Sequence, residues 1–180
     1  MKFASTTILT VSAVMFGVAC AQTGMSKAGG PNDPQIAHIV VTANQIDIDA
    51  GKVAKSRSRN KEVQAFADRM IEDHMAVNKQ ASDLAKKLGV KPEDNATSQS
   101  LADGARKNMD NLRKAADGEF DKAYINHEVA YHQAVLDAID KTLVPSAQNA
   151  ELKGLIQKVR PAIAAHLDHA KMVQSKLGGM

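Results

Sequence analysis

The residues predict an all-α protein built as a bundle of four long helices. Two observations carry this. The chain has no Trp, 2 Tyr and 4 Phe against 8 Met, so its apolar volume comes from Ala, Val, Ile, Leu and Met, which suit packed helices better than a sheet. Apolar residues also recur at alternating steps of three and four in four separate segments, as a bundle seam requires. A chain of 180 residues is long enough for one domain with a sizeable core.

Asp33-Pro34 reads as an N-cap followed by proline at the first helical position, opening a helix to about Arg59. Its stripe is Ile36, Val40, Ala43, Asp47, Ala50 and Ala54. Asn60 caps a second helix, with Glu62 near its positive end, and Gly89 followed by Pro92 closes it. That stripe is Val63, Ala67, Met70, His74, Val77, Ala81, Leu84 and Leu88. Asp117 and Gly118 precede a third helix, about Glu119 to Leu143, which Pro145 stops. It carries Ile125, Val129, His132, Leu136, Ile139 and Leu143. Ser146 or Asn149 opens a fourth, ending at Gly178-Gly179, with Leu152, Ile156, Val159, Ile163, His166, Ala170, Val173 and Leu177. Leu101, Ala105, Met109 and Leu112 predict a short crossover helix between Gly89 and Gly118. One long crossover between helices two and three, in place of three short loops, is the ferritin-like connectivity.

The N-terminus reads as a secretory signal. Lys2 supplies a positive start, Thr6 to Ala19 carries no charge, and Ala19-Cys20-Ala21 offers a cleavage site. Residues 1–21 are then a signal peptide, 22–32 a flexible linker with Gly24, Gly29, Gly30 and Pro31, and 33–178 the bundle. The alternative is a lipid anchor at Cys20. Either route delivers the chain to the envelope of a Gram-negative-type bacterium, in the periplasm or tethered to a membrane. No other apolar run reaches transmembrane length. A net charge of +3 and sparse aromatics give no reason to expect nucleic acid. The single Cys excludes a Cys-rich zinc or iron–sulfur site.

Each stripe is apolar or small except at one titratable residue near mid-helix: Asp47, His74, His132 and His166. A carboxylate and three imidazoles suit zinc, copper, iron or manganese. Asp47 and His74 are nearly level about the first turn, whereas His166 falls about 10 Å from His132 in straight helices, and Glu128 levels with it better. Pro161 is expected to bend the fourth helix. The competing reading is a structural network in which the histidines bond to Asp, Tyr124 or Tyr131. His169 on the flank suits a supporting or solvent role, His127 lies beside the two tyrosines, and His38 falls near an end. Met70, Met75 and Met172 read as packing. Lys52, Lys55, Arg57, Arg59 and Lys61 form a basic end that suits a solvated turn better than anionic lipid.

No catalytic residue is assigned. The Glu-x-x-His pairs of di-iron bundles are absent, since Glu62, Glu72 and Glu128 are followed three residues on by Ala65, Met75 and Tyr131. His127-Glu128-x-x-x-His132 is one residue too long for a zinc-protease helix, and no G-x-S-x-G, P-loop or dinucleotide fingerprint occurs.

From Asp33 to Leu177 the chain resembles the exported bacterial domain-of-unknown-function family 4142. The resemblance lies in Asp47 and Gly51; in Phe66, Ala67, Met70, Asp73 and His74; in Phe120, Asp121, Tyr124 and His132; and in Pro161 and His166. Asp47 stands where Glu is usual, and Tyr131 where an acid is common. The resemblance implies a ferritin-like bundle, and members are often labelled outer-membrane proteins with no general activity. The helical period excludes a β-barrel. The functional expectation is an interior transition-metal site of Asp47, His74, His132 and His166, with Glu128. Its rivals are an envelope stress or interaction protein with a structural polar core, and a redox enzyme with an open coordination position.

Overall fold

The computed structural model describes residues 29–179, all helical apart from turns, with no strand among them. The expected signal peptide, Cys20 and most of the 22–32 linker lie outside the described residues. Five helices form the bundle: α1 (Asp33–Arg57), α2 (Lys61–Lys87), α3 (Ala96–Lys114), α4 (Asp117–Ala138) and α5 (Ala150–Gly178). No helix among the described residues is long and apolar enough to cross a membrane.

The ends explain the boundaries. Asn32, not Asp33, caps α1, and its side chain and that of Gln35 form a reciprocal capping box. Asp33 instead accepts from the Gln148 and Asn149 amides, both at 2.9 Å, tying the start of α1 to the turn before α5. Asn60 caps α2 as expected, and Gly89 takes the left-handed φ of +65° just past its end. Asn149, rather than Ser146, caps α5. α5 runs unbroken through Pro161.

Two elements depart from expectation. The crossover helix is a full 19 residues, α3, because Asn95 and Ser98 form a second capping box at its start. It buries only Ser98 and Leu112, with Leu101 and Met109 half-buried against the core. α4 begins at Asp117, taking in Gly118, and does not stop before Pro145. It continues through a π-helical turn, Ile139–Leu143, and a last helical turn, Val144–Ser146. Proline sits there in the first turn of the new segment, where its missing N–H costs little.

Contacts between ends set the directions. α2 and α5 are antiparallel, with Lys87 paired to Glu151 at one end and Lys176 to Glu62 at the other. Asn95 donates to the Gln35 carbonyl and Arg57 to the Leu112 and Ala115 carbonyls, so α3 runs parallel to α1 along its length. α4 then returns from Asp117, beside Arg57, to the Asp33 end. α1 and α5 therefore run one way and α2 and α4 the other. α1 and α2 approach closely at Gly51, where a Cβ would stand 3.0 Å from Ile71 Cγ1 and 3.2 Å from the Ala67 carbonyl.

The core divides into two apolar halves. One, toward the α1–α2 turn, holds Phe66, Met70, Phe120, Tyr124 and Ile125 among others. The other, toward the α4–α5 turn, holds Ile36, Ile39, Ile139, Ile156 and Ile163. Between them lies a buried polar layer of Asn44, Asp47, His74, Glu128, His132 and His166.

The basic end is largely solvated, as expected, with Lys52, Lys55, Arg59 and Lys61 exposed. Lys55 pairs with Asp68 and Lys52 with Asp49. Arg57 caps the end of α3 and stacks over the Phe120 ring at 4.5 Å. Arg57→Ala removes charged donors from half-buried carbonyls, and we expect it to cost about 2 kcal/mol. Urea unfolding followed by circular dichroism measures this; a loss below about 0.5 kcal/mol would show that Arg57 does not hold α3.

Candidate metal centre

The polar layer follows from the stripes. Asp47 on α1, His74 on α2, His132 on α4 and His166 on α5 all occupy the inward face and are buried. Glu128, one turn before His132, is fully buried with them. The ring centroids of His74, His132 and His166 lie 5.2 to 5.7 Å apart pairwise.

The expected offset of His166 does not arise. The α4 helix continues to Ser146, so the turn lies later than Leu143. His132 stands 15 residues before Ala147 and His166 stands 17 after Asn149. At 1.5 Å per residue that leaves about 3 Å, which side chains span.

Each imidazole is held by one nitrogen. His74 Nδ1 is 2.6 Å from Asn44 Oδ1, and Asn44 is itself fixed by donating to the Val40 carbonyl at 2.8 Å. His132 Nδ1 donates to the Glu128 carbonyl at 2.9 Å. His166 Nε2 donates to Asp73 Oδ2 at 2.8 Å. The other nitrogens, His74 Nε2, His132 Nε2 and His166 Nδ1, are buried without a hydrogen-bond partner, as are Asp47 Oδ1 and both carboxylate oxygens of Glu128. One ligand atom from each of the three histidines falls within 4.8 Å of the others, and the same holds for Asp47, Glu128 and His132. Asp47 Oδ2 also stands 3.5 Å from His74 Nε2. The two triads share His132.

Burial controls the protonation. It lowers His74 to about 3, helped by the neighbouring His132 and His166, and His132 to about 4. Both are neutral imidazoles at pH 7, the form that binds metal. His166 is lowered by burial, with Asp73 opposing. Asp47 and Glu128 are raised well above the ordinary carboxylate range, by burial first and, for Glu128, then by the charge of Asp47. Asp73 differs because its side chain is 42% exposed. Burial still works to raise it, but the bond and charge of His166, with Arg69, hold it below its ordinary value.

Sequence reasoning placed all five residues that meet here. It missed Asn44 and gave Asp73 no role. Asn44 lies three residues before Asp47 on α1, and Asp73 immediately precedes His74. Those spacings were the available signals. The tyrosines do not serve the histidines: Tyr131 donates to the Ala43 carbonyl and Tyr124 lies in the apolar half. His169 packs edge-on against Phe66, His127 stacks on Tyr131, and His38 lies 3.8 Å from Asp94. Met70 packs in the core, whereas Met75 and Met172 are 56% and 50% exposed and pack little.

Comparison with known proteins places the chain. A family model described as "Domain of unknown function (DUF4142)" matches residues 18–173. The chain belongs to this family. No curated protein and no solved structure matches it.

The metal-free DUF4142 chain should show opposing pH effects. His74 and His132 titrate near 6.5 when unfolded and near 3 to 4 when folded, so stability rises with pH up to about 6.5. Asp47 and Glu128 titrate near 4 when unfolded and well higher when folded, so they withdraw stability as pH rises above about 4. The two effects are separated by the D47N/E128Q double variant, which keeps the histidines and removes the carboxyls. Its melting temperature in chelator should gain on the wild type as pH rises from about 4.5. A difference between the two that does not grow with pH would contradict the buried-carboxyl assignment.

Proposed function

We propose that this DUF4142 protein is an exported, ferritin-like bundle of the bacterial cell envelope that binds one transition-metal ion through His74, His132, His166, Asp47 and Glu128. The observation that carries the reading is the pattern of anchored and unbonded nitrogens. Each imidazole has one nitrogen fixed by Asn44, Asp73 or the Glu128 carbonyl and the other buried without a partner. Metal-binding histidines are held in this way. A purely structural network would instead close those bonds, since buried polar groups are nearly always paired.

Charge supports the same reading. With both carboxyls ionised and the imidazoles neutral, the layer carries two negative charges, which a divalent cation balances in a dry interior. Nitrogen and oxygen donors without thiolate fit zinc, copper(II), iron or manganese. Because burial raises Asp47 and Glu128, metal uptake should strengthen as pH rises.

The ferritin-like reading is supported by the antiparallel pairs α1–α2 and α4–α5 and the one long crossover between them. Lys2, the uncharged run and Ala19-Cys20-Ala21 support export to the periplasm, with lipidation at Cys20 as the alternative route to the same compartment.

Elemental analysis of the protein purified from its native envelope without chelators is the direct test. Near-stoichiometric metal is expected, absent from a His74→Ala variant that keeps its helical circular dichroism. Protein that is metal-free and refuses added zinc, copper, iron and manganese would overturn the proposal. Asn44→Ala leaves every ligand in place but frees the His74 ring, so metal affinity should fall 10- to 100-fold. Competition with a chromophoric chelator measures it.

A further inference from the structure

One turn from the metal layer, toward the α4–α5 turn, lies a cavity of about 240 Å³ walled by all five helices. Its wall is Ile39 and Val40 of α1, Val77 of α2, Leu101 of α3, Val135 and Ile139 of α4 and its continuation, and Ile163 of α5, with further small and aliphatic residues. No lining residue is charged, and the polar ones are Asn44, Thr97, Tyr131 and Thr142. Asn44 and Tyr131 are already engaged with His74, Val40 and Ala43. Thr97, in the first turn of α3, and Ala134 of α4 are exposed and mark the mouth, with Thr97 its polar side.

We propose that this cavity binds a single aliphatic chain of about ten carbons, tail inward, with an uncharged polar end at Thr97. Three observations lead there. A cavity near 150 Å³ holds benzene, so in proportion 240 Å³ holds about ten carbons. The lining runs from Tyr131 to Leu143, about 18 Å along one helix at 1.5 Å per residue, which suits a chain better than a compact ring system. The absence of a cationic residue from the wall, and the nearness of Glu93 and Asp94 to Thr97 in the chain, disfavour an anionic end. The π-helical turn Ile139–Leu143 contributes Ile139, Thr142 and Leu143 to the wall, and such turns recur at functional sites.

The site does not depend on the metal reading, and its test is run in chelator. The probes are 1-decanol and sodium decanoate, followed by methyl NMR of Ile, Leu and Val in the purified protein. Decanol should bind saturably at one per chain, shifting Ile39, Leu101, Ile139 and Ile163 and raising the melting temperature. Decanoate should bind at least tenfold more weakly. Ala138, at the end of α4, also lines the cavity, so Ala138→Phe places a ring in it and should abolish decanol binding while circular dichroism stays helical; Ala138→Leu replaces it should the larger side chain prevent folding. Failure of decanol to saturate, equal binding of decanoate, or undiminished binding in the folded Ala138 variant would overturn the proposal.

Discussion

The structure depends on one constraint: five ionisable side chains share a buried layer between two apolar halves. In that setting charge is costly unless it is matched. Burial acts on all five in the same sense, lowering the imidazoles and raising the carboxyls, so each is pushed toward its neutral form. A divalent cation would meet the constraint differently, by balancing ionised carboxyls.

Holding such a layer together demands that four helices agree in height and rotation. The height comes from the ends. Asp33 grips the turn before α5, Arg57 grips the end of α3, and salt bridges tie both ends of α2 to α5. Rotation comes from the close approach at Gly51 and from the apolar halves, whose side chains interdigitate on either side of the layer. The fine aim of each ring comes from its outer partner. Two of those partners, Asn44 and the Glu128 carbonyl, are buried with the layer. The third, Asp73, reaches the surface and links His166 to solvent.

The long continuation of α4 connects the fold to the site. Carrying the helix past Leu143 moves the turn and brings His166 level with His132. Its π-helical turn also helps to wall the cavity beside the polar layer. Asn44 faces both features, bonding to His74 while lining the cavity. A substitution there would disturb two neighbourhoods at once.

The sequence by itself determined the helical class, the four inward stripes and the membership of Asp47, His74, His132 and His166 in the interior. A period near 3.6 reports which face a residue occupies, and that is a local property. The cap at Asn60 was legible because capping is local too, whereas the choice between Ser146 and Asn149 was left open. Tertiary structure decided the rest. The level of His166 depends on where α4 ends, which Pro145 obscured because proline also fits a helix's first turn. The stripe Leu101, Ala105, Met109 and Leu112 showed α3, but Gly104 and the small residues around it obscured its full length. Which nitrogen of each ring is anchored, and that Asn44 and Asp73 do the anchoring, depends on side chains from different helices meeting in space. Periodicity along one helix holds no information about those distances.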